Sequence, residues 1–113
     1  LPDPAAYMQI GTDRFRGGGL AKASIMSAPG IKAAIDDGIL DIQFKVVSFE
    51  TVFFDNMGNA VPMASAGGNF SERQRDTFRK LSRGKRFYIS RITAVGPDGI
   101  TRKLNGSMEV IVK

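Results

Sequence analysis

Phe70 to Ile100, FSERQRDTFRKLSRGKRFYISRITAVGPDGI, reads as helix, glycine stop, strand, tight turn and returning strand. Ser71 suits an N-cap, because its hydroxyl can accept from an orphan amide of the first helical turn. Gln74, three residues on, completes a capping box. Phe70, Phe78 and Leu81 fall on one face with Gln74 between them, a narrow apolar stripe. Gly84 is placed to stop the helix in a left-handed conformation, so the spacing predicts a helix over 71–83. Beyond it the period becomes two: Phe87 and Ile89 point one way, Tyr88 and Ser90 the other. Ile92 and Ala94 then continue in the phase of Tyr88, which predicts a β-bulge near Ser90–Arg91. In Gly96-Pro97-Asp98-Gly99, proline presets φ and Gly99 can take positive φ, giving a turn into a strand from Ile100.

The charge imbalance sits on the same stretch. Arg73, Arg75, Arg79, Lys80, Arg83, Lys85 and Arg86 outweigh Glu72 and Asp76 by five, and the whole chain has a formal net charge of +5. The remainder is therefore balanced. These basic residues are the candidate partner-binding set. Lys80 and its neighbours favour the negative end of the helix dipole, but Arg73 and Arg75 lie near the positive end and call for another explanation. Three readings compete: a solvated face, an acidic protein partner, and nucleic acid with Phe87 and Tyr88 as stacking groups.

Working outward, Asp37-Gly38 separates two alternating runs, Ile31–Asp36 and Leu40–Val46, and predicts a hairpin over a short helix at 29–37. The second run is long and changes phase at Val46-Val47, which predicts a bulge or bend there, with Val47, Phe49 and Phe53 as the next buried set. Asn105-Gly106 predicts a further hairpin between Ile100–Leu104 and Ser107–Lys113. Ala5–Ile10 reads as a short strand, and Leu20–Ala28 as one or two helical turns ended by Pro29. Gly11–Gly19 reads as a flexible loop, since no strand-to-helix context makes its triple glycine a phosphate cradle. Asp55–Asn69, DNMGNAVPMASAGGN, reads as a mobile surface loop; it lacks the spacing and terminal Glu of a calcium loop. Phe44, Val46, Phe49, Phe78, Leu81, Phe87, Ile89, Ile92 and Val110 are the expected core.

The 113 residues make one domain, 1–113, with 1–4 as an extended incoming linker. The chain has no cysteine and no histidine, which removes disulfides, thiolate metal sites and the usual general base. Asp36, Asp37 and Asp41 are explained by a turn and a solvent-facing strand, and no serine has a partner in motif spacing. The expectation is a protein that is not an enzyme and needs no cofactor or metal. No apolar run exceeds four residues, too short for a spanning helix. A start at Leu1 is expected of a piece of a longer protein, and a last strand of a natural C-terminus.

The run from Lys80 to Leu104, KLSRGKRFYISRITAVGPDGITRKL, resembles the C-terminal domain of the GldM/PorM family of gliding motility and type IX secretion in Bacteroidetes. Leu1-Pro2-Asp3-Pro4 and Phe44-Lys45-Val46-Val47-Ser48-Phe49 extend the likeness over most of the chain. With the bulge phasing, it implies a mainly β fold: an antiparallel immunoglobulin-like β-sandwich with one α-helix inserted before a C-terminal hairpin. It implies the last periplasmic domain of a dimeric subunit anchored in the inner membrane. Its partners would be the motor protein GldL/PorL, through a membrane helix, and the outer-membrane-associated GldK–GldN (PorK–PorN) ring. The domain's work would be docking and force transmission, and the isolated domain would dimerise weakly at most. The alternative is a small basic module for nucleic acid or a polyanionic glycan; a periplasmic setting argues against nucleic acid.

Overall fold

Alternating apolar runs have to bury one face each, and here they do so in one sheet. The structure is a computed structural model that describes residues 4–36, 41–104 and 107–113. Its elements run β1 (Ala5–Ile10), β2 (Asp13–Phe15), β3 (Gly18–Leu20), α1 (Lys22–Ser27), β4 (Lys32–Asp36), β5 (Asp41–Phe54), β6 (Ala60–Ala66), α2 (Glu72–Lys80), β7 (Arg86–Val95), β8 (Thr101–Lys103) and β9 (Met108–Val112). The described strands pair in the order β2-β1-β4-β5-β7-β9-β3, with β6 also on β5 and β8 also on β7. All pairs are antiparallel except β3 with β9. The mainly β, antiparallel class is as expected. The pairing is of one continuous sheet, and an immunoglobulin-like division into two stacked sheets goes beyond it.

β5 and β7 form the centre. β4 and then β6 share the outer edge of β5, and β9 and β8 share the outer edge of β7. β8 and β9 therefore run in the same direction and do not form a hairpin with each other. The turn expected at Asn105-Gly106 lies outside the described residues, as do 37–40. The flanking pair Asp36↔Asp41 closes the β4–β5 hairpin where it was expected. Both phase slips are real. β5 has an extra residue at Val47 and β7 an extra one near Arg91, whose φ is 51°. Val47 itself is 37% exposed, contrary to the expected buried set, because the bulge turns it outward. Phe49, Thr51 and Phe53 are buried instead.

Two stretches read as loops are strands. Asp55–Asn69 contains β6, joined to β5 by a tight turn. The Asp55 carboxylate accepts from the backbone amides of Met57 and Asn59 at 2.9 and 2.8 Å. Val61, Met63 and Ser65 of β6 face inward with small exposed residues between them, a weak alternation that Pro62 and the flanking glycines obscure. Gly11–Gly19 contains β2 and β3. Arg14 of β2 pairs with Asp41 at 3.2 Å and lies over the Tyr7 ring, and Gly18–Leu20 pairs in parallel with Val110–Val112.

The helices lie against an aromatic cluster. Phe78 sits 4.9 Å from Phe70, 5.7 Å from Phe53 and 5.1 Å from Phe87, ring centre to ring centre. Gln74 is fully buried yet fully bonded. Its Oε1 accepts from the Ser71 amide at 2.8 Å, closing the capping box, and its Nε2 donates to Thr51 Oγ1 and the Met63 carbonyl. α2 ends at Lys80, short of the expected 83, because Leu81 turns extended at ψ 132°. Gly84 (φ 88°) serves the following Ser82–Lys85 turn and not the helix cap. Of the expected core, Leu81 is partly buried and the rest are buried. Pro4 of the expected linker is buried, and 1–3 lie outside the described residues.

Candidate functional site

The seven basic residues do not share one surface. Arg73, Arg75, Arg79 and Lys80 lie on α2, Arg83 and Lys85 in the turn after it, and Arg86 opens β7. Arg75 is committed to the fold. Its guanidinium donates to the carbonyls of Met26 (3.4 Å) and Ala28 (3.4 Å), acceptors left over where α1 ends, and to that of Pro29 (3.2 Å), which also accepts from the Phe70 amide. It also lies 6.0 Å over the Phe70 ring. In return, the Lys22 ammonium of α1 donates to the Arg79 carbonyl in the last turn of α2. Each helix thus caps the other's C-terminal end. That is the explanation Arg75 called for, and it withdraws Arg75 from a partner surface.

Arg79 pairs with Asp76 on the exposed face of α2, and Arg86 pairs with Glu109 at 3.7 Å. Arg73, Lys80, Arg83 and Lys85 are exposed and have no ion pair or side-chain hydrogen bond among the described residues. They form the available positive charge. The stacking role considered for Phe87 fails, because Phe87 is fully buried. Tyr88 is half-buried, its ring against Phe54 and its hydroxyl donating to Glu109 at 2.9 Å.

A shallow depression of about 300 Å³ includes one of these free cations, Lys85, and is otherwise lined by Phe54, Asp55, Leu81, Gly84 and Arg86. Phe54 is 44% exposed, and Met57 in the adjoining turn is 86% exposed. Sequence reasoning missed both. The signal was there: two phenylalanines in succession on a strand must point to opposite faces, so one of them faces outward. The depression has an apolar floor of Phe54 and Leu81 and a charged rim of Asp55, Lys85 and Arg86. Among the described residues no cluster of His, Cys, Asp and Glu could hold a metal ion, and no helix is long and apolar enough to cross a membrane.

The family model of the GldM C-terminal domain matches residues 2–113, nearly the whole chain. A comparison with curated proteins finds no match.

Proposed function

The chain belongs to the GldM C-terminal domain family, and from that premise we propose that it is a docking domain of a gliding-motility and type IX secretion subunit. It lies in the periplasm as part of a longer, dimeric, membrane-anchored protein. There it attaches the subunit to the outer-membrane-associated GldK–GldN (PorK–PorN) ring and passes on force originating at GldL/PorL. The observation that supports this reading is exposed Phe54 in a depression that Lys85 and Arg86 also line, next to the stretch that carries the net charge of an otherwise balanced domain. Such a surface attracts an acidic protein at long range and gives it an apolar anchor on contact. The alternative of nucleic acid loses its stacking platform with Phe87 in the core.

The test is the association rate with the ring proteins across ionic strength. Arg83→Glu with Lys85→Glu should slow association and flatten its salt dependence, with melting temperature nearly unchanged. Rates equal to the parent's at every salt concentration would return these residues to the status of a solvated surface.

A further inference from the structure

We propose that the outer edge of β6 is a strand-addition site for an extended acidic segment of a partner protein, held from above by Arg73 and Lys80. This rests on the reading that the basic surface meets an acidic protein, and it specifies how.

The register fixes which backbone groups are free. Gly67 N–H donates to the Val47 carbonyl and Asp55 N–H to that of Asn59, at the two ends of an unbroken β5–β6 ladder. Bonded and non-bonded pairs alternate along such a ladder. Val61, Met63 and Ser65 therefore bond inward to β5, while the backbone groups of Ala60, Pro62, Ala64 and Ala66 point away from it. Among the described residues only β5 pairs with β6. All four outward residues are exposed. They are also small, and no charge occurs from Ala60 to Asn69. Proteins ordinarily guard such an edge with lysine, a bulge or proline. Here Pro62 is the only guard, and it removes one donor of the row.

The helix beside this edge says what fits. The Thr77 hydroxyl contacts the Met63 sulfur at 3.6 Å, so that flank of α2 faces β6. Arg73 and Lys80 lie four residues before and three after Thr77, on the same flank, and both are exposed and unpaired. A strand added to β6 runs alongside them, and acidic side chains at alternate positions on its helix-facing side meet both. A second copy of this chain fits badly. Two-fold pairing of β6 with β6 would bring the two Arg73 and Lys80 flanks together, like charge against like.

Ladder bonds are made by main chain, so a generic probe suffices. The probe is a short peptide of alternating Glu and Val, compared with the same peptide N-methylated at alternate amides and with a Lys-Val analogue. Hydrogen exchange is followed on the isotope-labelled chain. The expected result is slowed exchange of the Ala60, Ala64 and Ala66 amides with the Glu-Val peptide. N-methylation, or Ala64→Pro in the chain, should weaken binding about tenfold, the loss of one or two main-chain bonds. Ala64→Pro breaks no bond to β5, and the N-methylated peptide makes the same test on the unaltered chain. Arg73→Glu with Lys80→Glu should transfer preference to the Lys-Val analogue. Undiminished binding of the N-methylated peptide without protection of β6 overturns strand addition and leaves side-chain docking intact, as does no binding at all. Protection that grows with protein concentration alone makes a second copy the occupant and overturns the proposal. The docking reading fails separately, through salt-indifferent association after reversal of Arg83 and Lys85.

Discussion

Arg75→Met removes the guanidinium and keeps most of the stem. It leaves the carbonyls of Met26, Ala28 and Pro29 without their shared donor. A hydrogen bond from a charged donor contributes about 1.5–3 kcal/mol when well made. These are long, at 3.2–3.4 Å, and half-buried, so about 1–1.5 kcal/mol for the set is a fair estimate. The cation over Phe70 adds roughly 0.5 kcal/mol at a separation near the limit for such contacts. Together the loss is about 2 kcal/mol, or roughly 8 °C in melting temperature for a domain of this size. α1, six residues long, has no stability of its own and relies on this contact. Arg73→Gln is the control: same helix, same residue type, no partner, and a change within about 0.5 kcal/mol. Thermal and urea melts of both variants decide. If Arg75→Met melts with Arg73→Gln, the reciprocal capping of the two helices is not what holds α1.

Phe78→Ala should cost about 3–5 kcal/mol, measured by urea denaturation, since it empties the centre of the aromatic cluster. Gly30→Ala should prevent a native melt, because its Cβ would stand 1.9 Å from the Gly68 carbonyl oxygen, which is backbone and cannot yield. Gly19→Ala should be far milder, because the nearest atoms belong to the flexible Lys113 side chain. Backbone amides, of Asn59 and then Met57, hold the Asp55 carboxyl below its usual pKa; the Ile100 amide and then Arg102 do so for Asp98. A lowered folded value means that the unfolded chain binds more protons. The stabilisation is thus complete above the ordinary aspartate value of about 3.9 and is lost as pH falls through the depressed values below it. Urea midpoints between pH 5 and acid should therefore fall less steeply in Asp55→Asn and Asp98→Asn than in the parent; parallel slopes would remove both turns from the acid response.

What was legible in the sequence was local. The capping box at Ser71 and Gln74, the Gly96–Gly99 turn and both bulges follow from side-chain chemistry or from a change of period within a few residues. What was hidden depends on distant partners. β3 is two glycines and a leucine, poor strand formers that pair only because β9 lies beside them. β6 carries a proline and three alanines, so its inward row of Val61, Met63 and Ser65 gives almost no periodic signal. Arg75 is of the same residue type as Arg73, and only the position of α1 makes one a clamp and the other free. The candidate site was legible as charge and not as shape, since Phe54 comes beside the basic turn, and β6 beside α2, only after folding.

The two bulges are best understood as one device. On β5 the buried row passes from Phe44 and Val46 to Phe49, Thr51 and Phe53; on β7 it passes from Phe87 and Ile89 to Ile92 and Ala94. Each strand changes phase at one extra residue. The register between them shifts by one at Val47 and shifts back near Arg91, so that Val46 opposes Ala94 on one side of the defect and Thr51 opposes Ile89 on the other. With the β5 bulge alone, Thr51 would oppose Ser90, and every buried residue beyond the defect would face an outward one. The insertions therefore depend on each other: either one without its partner misaligns half of the apolar pattern. Together they keep β5 continuous to Phe54, where it leaves the core side of the sheet and enters the depression beside Lys85 and Arg86. The outward aromatic of the proposed docking surface is thus placed by a pair of bulges in the middle of the sheet, and not by the turn next to it.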